Sequence, residues 1–139
     1  MSVFGDLDKM LVAHLNSMVG LPSVAWENKD FDPVHGNIYL RPTLLAGEVY
    51  QASLGENGTD GNLGIYQIDI FIESGKGRSE AVNMADIISN HFKRGTYLTY
   101  NGRTLRTKNV SRRVGTNNGD GWYQIPVIIN YIAFTTARI

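Results

Sequence analysis

Residues 122–135 alternate as a β-strand does, yet they are apolar on both faces. Tyr123, Ile125, Val127, Ile129, Tyr131 and Ala133 fall on one side, and Trp122, Ile128, Ile132 and Phe134 on the other. Successive strand residues point to opposite faces of a sheet, so a strand apolar on both needs cover on both. It belongs in the middle of a sheet or beneath a partner. Pro126 conflicts with a central place, because proline donates nothing to a ladder, and it predicts a bulge there. Residues 63–73 form a second strong strand. Tyr66, Ile68, Ile70 and Ile72 line one face, with Gln67, Asp69 and Glu73 on the other beside Ile65 and Phe71. Residues 96–108 read as a hairpin around Asn101-Gly102, the dipeptide suited to a type I′ turn, and residues 109–114 can continue its return strand.

Two stretches carry helical spacing instead. From Ser2, a possible cap, to about Val19, Phe4, Leu7, Leu11, Leu15 and Met18 share one face, widened by Val3, Met10 and Val19. Asp6 and Asp8 lie near the end where the helix dipole favours acids, and Gly20 and Pro22 close the helix. A second helix is expected over 79–92, with Val82, Ala85, Ile88 and Phe92 in the core, helped by Ala81 and Met84. Between the first helix and the strong strands, residues 24–26 read as a short strand and 37–43 as a longer one. Pro42 ends that strand or places it at an edge. Residues 44–62 lack pattern, and their centre is too polar and Gly-rich to bury itself, so they read as a mobile loop. The order helix, strands, helix, strands predicts an α+β fold: a mainly antiparallel, mixed sheet with both helices on one face, in one domain over 1–139. The other face then needs an explanation, since a monomer rarely exposes a large apolar patch.

Composition narrows the function. The chain of 139 residues has no cysteine, which excludes disulfides and thiolate metal sites. No signal-peptide pattern is visible, and no apolar run approaches the ~18 residues of a membrane span, so no membrane partner is expected. Net charge is zero, but residues 1–75 carry three bases against ten acids, and residues 76–139 ten bases against three. That split reads either as internal pairing or as a dipolar subunit meeting its neighbour head to tail. Arg112 and Arg113, with Arg103, Arg106 and Lys108 nearby, form a basic cluster. It suits a solvated face, DNA phosphates or the acids of a neighbouring subunit.

No catalytic constellation emerges. His14, His35 and His91 share no ligand spacing, and there is no Gly-x-Ser-x-Gly elbow. Residues 73–79 stand between strand and helix as a phosphate loop does, but without its spacing. Residues 56–62 hold closely spaced oxygen ligands, yet the full calcium-loop pattern and its terminal Glu are missing. No catalytic, cofactor-binding or metal residue is assigned, and no enzyme is expected.

The segment from Leu21 to Pro42 carries a resemblance. Its Leu21, Pro22, Trp26, Glu27 and Asn28, followed by Pro33, Tyr39, Leu40, Arg41 and Pro42, resembles the tail terminator proteins of long-tailed, lambda-like phages. The order of elements before and after the segment is similar too. The resemblance implies a small α+β virion protein that forms a ring, expected to be a hexamer, on the finished tail tube. Such a ring stops tube growth and offers the docking surface for the head connector, while DNA passes through it without sequence-specific binding. Its partners would be copies of itself, the tail tube protein and the head–tail connector protein. It would sit at the head-proximal end of the virion tail, after assembly in the bacterial cytoplasm. By that analogy Glu48, Glu56 and Asp60 would meet Arg103, Arg112 and Arg113 across a subunit or tail boundary. Three readings stay open beside it: a head–tail connector or tail-completion protein, a small-ligand or nucleotide-binding enzyme using the Gly-rich turns, and a non-specific DNA binder.

Overall fold

The computed structural model describes residues 3–27, 29–51 and 59–136. Two helices, α1 (Val3–Asn16) and α2 (Ser79–His91), accompany strands β1 (Ser23–Val24), β2 (Tyr39–Gln51), β3 (Thr59–Glu73), β4 (Tyr97–Tyr100), β5 (Arg103–Arg112), β6 (Thr116–Asn117) and β7 (Trp122–Thr136). The strands form one seven-stranded sheet in the order β1-β2-β3-β7-β5-β4, with β6 also on β7. Only β1–β2 is parallel; the other pairs are antiparallel. The fold is α+β, as the element pattern predicts.

The strand apolar on both faces is central: β7 lies between β3 and β5. The bulge expected at Pro126 is absent, since Pro126 pairs in unbroken register with Asp69 of β3. The Pro126 carbonyl accepts from the Arg113 backbone N–H at 2.9 Å, on the β5 side of β7. A strand residue's N–H and C=O point the same way, so the missing donor faces the gap where β5 gives way to β6, and the β3 ladder loses nothing. β2 runs on through Pro42. Among the described residues its outer side meets β1, against Tyr39 and Leu40, and the Ala25 N–H, which donates to the Leu40 carbonyl, so Pro42 stands at an edge.

The irregular stretch expected over 44–62 is largely strand. Pairing of β2 with β3 continues from Leu44 and Tyr66 to Gln51 and Asp60, with a register shift between Ala46 and Val49. Residues 52–58, where that expectation also falls, lie outside the described residues. The arms pair without apolar alternation because main-chain hydrogen bonds need none, and their glycines permit close approach. A Cβ on Gly47 would stand 2.6 Å from the Leu63 carbonyl oxygen, and one on Gly64 would collide with the Tyr131 ring.

Both helices pack on one face of the sheet. Leu7, Met10, Leu11, Leu15 and Met18 of α1 and its C-terminal turn join Ala81, Ala85, Ile88 and Phe92 around α2. They meet Tyr66, Ile68, Ile70 and Ile72 of β3, and Ile125, Val127, Ile129, Tyr131 and Ala133 of β7. Each buried Leu, Ile or Phe contributes roughly 1.5–3 kcal/mol. Phe4 and Val19, placed on the α1 stripe by spacing, are 51% and 92% exposed. The helix ends at Asn16 and Gly20 turns at φ 76°, so Val19 has left the helical register. Val82 and Met84 are only partly buried. Asn101 and Gly102 take φ values of 52° and 74°, the left-handed pair a type I′ turn requires.

The opposite face is covered at one end by the chain itself. The segment between β1 and β2 brings Phe31 onto Tyr39 (4.9 Å between centroids) and stacks His35 on Trp122 (5.0 Å). Tyr39 stacks on Phe71 at 4.7 Å, and the Arg41 guanidinium lies 4.8 Å from the Phe71 ring centre. Beneath these, Asp69 is buried and accepts from Arg41 (3.3 Å) and Gln67 (2.9 Å). Toward the other end, Leu45 and Phe134 are exposed, while Ile128 and Ile132 are buried within the curved sheet.

Candidate assembly interface

The residues that sequence places at an interface separate into three groups. Arg103 leaves the surface altogether. On β5 it shares the parity of Leu105, faces the helices, and forms a buried ion pair with Asp6 of α1. Asn101 adds an amide donor to the same carboxylate at 3.3 Å. A run of bases on a strand cannot all be exposed, because alternate positions turn inward. Asp6 therefore clamps α1 to the β4–β5 turn, beyond any dipole effect.

Arg112 and Arg113 stay on the surface. Arg112 faces α2 and donates to Asp86 at 3.2 Å, with both side chains about half exposed. Arg113 is exposed and joins no carboxylate among the described residues. Glu48 lies in β2 and Asp60 in β3, so both sit on the long β2–β3 hairpin. Glu56 and the side chains of Glu48 and Asp60 fall outside the described residues.

The structure adds cations that the sequence reading did not single out as one site. β4 pairs with β5 only as far as Arg106, and a notch of about 340 Å³ opens where it stops. Arg94, Arg106 and Lys108 line it, each exposed and without a carboxylate partner among the described residues. Thr107 locks the notch wall. Its hydroxyl donates to the Lys93 carbonyl (2.6 Å) and accepts from the Thr96 N–H (3.0 Å). Arg106 and Lys108 flank the buried Thr107, so alternation could have marked them; nothing in the sequence marks Arg94.

The far edge of the sheet is acidic. Glu27, Asp30 and Asp32, in the segment joining β1 to β2, are exposed and join no ion pair among the described residues. Beside them a cleft of about 380 Å³ runs between α1 and β2, lined by Asp8, Asn16, Trp26, Glu27, Pro42 and Tyr66 among others. The Asp8 carboxyl is held above its ordinary value by burial and, next, by the Glu27 charge. The Tyr66 hydroxyl is buried without a hydrogen-bond partner, and burial followed by the Asp8 charge raises its pKa. Trp26 packs partly against the core, and Tyr39 belongs to the aromatic group on the opposite face.

The histidines serve packing. His14 and His91 stack at 4.0 Å, and each Nε2 donates to the other's backbone carbonyl at 2.6 and 2.5 Å, tying the C-terminal turns of α1 and α2 together. His35 sits on Trp122, with Nδ1 3.9 Å from Glu73. In the turn after β3, Lys76 pairs with Glu73 at 3.3 Å rather than facing an open anion cradle. Among the described residues no three His, Asp or Glu side chains gather as a metal site.

A solved structure shares the fold with a TM-score of 0.69 at 20% identity, covering 94% of this chain and 92% of its own. Its name carries no functional description, so it speaks to the fold alone. No curated protein sequence matches the chain. The sequence pattern of one family does, over residues 6–131, which takes in most of α1, the Leu21–Pro42 segment, nearly all of the helix-covered core and most of β7. On that match over nearly its whole length, the chain belongs to the phage tail terminator protein family, a family of structural phage tail components.

Proposed function

We propose that this chain is the subunit of a ring, a hexamer, that caps the head-proximal end of the phage tail tube. The ring stops addition of tube subunits, gives the head connector its docking surface and leaves a hole for DNA. The observation that carries this reading is the division of free charge between the two edges of one sheet. Among the described residues Arg94, Arg106 and Lys108 stand without carboxylate partners beyond β4, and Glu27, Asp30 and Asp32, with the single cation Lys29 among them, join no ion pair beside β1. Opposite charge on opposite edges favours a head-to-tail contact, which repeats and closes into a ring. Glu48 and Asp60, whose backbones lie in the β2–β3 hairpin, and Arg112 and Arg113, at and just past the end of β5, extend this contact on its flanks. Arg103 takes no part.

Light scattering across concentration and ionic strength, with negative-stain imaging, tests the ring. Closed particles of about six subunits that loosen in salt are expected, because exposed charge is screened within ~10 Å at 0.1 M. Arg106→Glu with Lys108→Glu should abolish them. In a phage lacking the protein, overlong tails are expected; normal free tails would assign it to the connector instead.

A further inference from the structure

We infer that the cleft between α1 and β2 binds a guanidinium group, supplied by an arginine side chain from the basic edge of a second copy of this chain. Three features of the cleft converge on that chemistry. Asp8 and Glu27 bring two carboxylates to one cavity, and no cation pairs with either among the described residues. Tyr66, 2% exposed, holds a hydroxyl there that has no hydrogen-bond partner. A buried polar group left unpaired is costly, and a donor entering the cleft would satisfy it. Trp26 supplies an aromatic wall, on which a planar cation is favoured. The volume of about 380 Å³ accommodates a long side chain. Asn16 offers a further amide; Lys29, exposed, also lines the cleft, so its two carboxylates outnumber its one cation.

The cation's class follows from the acceptors. Two carboxylates, a phenol and an indole suit a flat, multiply donating group better than a metal ion, which needs more oxygen ligands than the cleft gathers. Its source follows from charge: the cleft lies at the acidic edge, and Arg94, Arg106 and Arg113 stand exposed toward the opposite one. The assignment of the source rests on the ring reading above; the chemistry of the cleft does not.

Two measurements separate these. First, the protein is titrated with N-acetyl-arginine amide and followed by the indole N–H resonances, with Trp122 on the other face as internal control and N-acetyl-alanine amide as blank. A saturable shift at Trp26 alone is expected, weakened at least about tenfold by Tyr66→Phe and abolished by Asp8→Asn with Glu27→Gln. Tyr66→Phe removes only an unpartnered hydroxyl, so the fold is expected to persist. No saturable shift, or one unchanged in the variants, overturns the cleft. Second, assembly of Tyr66→Phe and Glu27→Gln is compared with the wild type. Weakened rings support the neighbouring copy as the source. Unchanged rings from variants that no longer bind the probe overturn that source. A wild type that binds the probe but never assembles overturns the ring reading and the source with it, and keeps the guanidinium cleft.

Discussion

The two faces of the sheet are held together by different means. The helix-covered face is a continuous apolar layer, built from side chains at helical and strand spacing, with the Asp6–Arg103 pair at its border. The opposite face combines aromatic stacking, a cation over a ring and a buried carboxylate, brought together by an irregular segment between β1 and β2. The first arrangement is cooperative, because any gap is felt by close-packed neighbours. The second is modular: its contacts are local, partly exposed, and concentrated at one end. The helix face should therefore dominate folding stability, while the opposite face and the edges remain available for partners.

The largest test is on the helix face. Arg103→Leu should lower unfolding stability by ~3–5 kcal/mol, because it leaves the Asp6 carboxylate buried without its cation. The double variant with Asp6→Leu should recover most of that loss, since well-packed apolar side chains often replace a buried pair without penalty. Urea denaturation of the two single variants and the double variant measures the cycle. A small effect of Arg103→Leu alone would mean that water reaches the pair and that the border of this face is open.

On the opposite face the effect should be smaller. Asp69→Ala removes the acceptor shared by Arg41 and Gln67, and should cost about 1–3 kcal/mol. Asp69→Asn, which retains an acceptor, should cost less. The exposed Arg41 can return to water, which limits the loss. If Asp69→Ala matched the Arg103 variant, the modular description of this face would fail.

The same contrast explains what the sequence could reveal. The inward residues of β3 and β7, the second helix and the Asn101-Gly102 turn all announce themselves, because periodicity is the direct imprint of burial on one side. The outer arms of the β2–β3 hairpin do not. They pair by backbone, with glycines beneath Tyr131 and against Leu63, and backbone pairing leaves no apolar alternation to read. Pro126 misleads for a related reason: whether its missing donor matters depends on which neighbour it faces, and that is fixed by the break between β5 and β6. The candidate interface was half legible. The charge split by sequence is real, but strand parity decides which base is buried, as for Arg103, and which is free, as for Arg106. Neither the orphaned Tyr66 hydroxyl nor the gathering of Asp8 with Glu27 follows from spacing, because they come from elements distant in sequence.

A pH test probes the seam between the two helices. Burial, opposed by the bond to the His91 carbonyl and reinforced by the His91 ring's charge, holds the pKa of His14 below its ordinary value. A histidine with a lowered folded-state pKa takes up its proton more readily when unfolded. Its contribution to stability is therefore complete above the unfolded value of about 6.5 and is lost as pH falls through that value toward the folded one. The groups around it are His91 in the stack, Phe92, and Ser17, whose hydroxyl donates to the His14 carbonyl at 2.6 Å; Lys9 and Tyr97 line the same groove. Among the described residues no carboxylate lines that groove to favour the imidazolium. The wild type should lose stability between pH 7.5 and 5.5 more steeply than His14→Gln, in thermal melts at matched ionic strength. Parallel curves would show that His14 takes up its proton as freely in the folded protein as in the unfolded chain.

The smallest expected effect is at Arg112, and its smallness is useful. The Arg112–Asp86 pair spans 3.2 Å, but both side chains are about half exposed, 47% and 65%. Such pairs contribute about 0–1 kcal/mol and weaken in salt. Arg112→Ala should therefore leave the melting temperature of the isolated subunit nearly unchanged, in contrast to Arg103→Leu on the same strand. That contrast makes Arg112 a clean probe of assembly. Its guanidinium is free to exchange Asp86 for a carboxylate of a neighbouring subunit at little cost to the fold. If Arg112→Ala spares the subunit yet lowers ring yield, the loss belongs to the contact between copies. If it spares both, the contact lies on the notch side of β5, with Arg106 and Lys108.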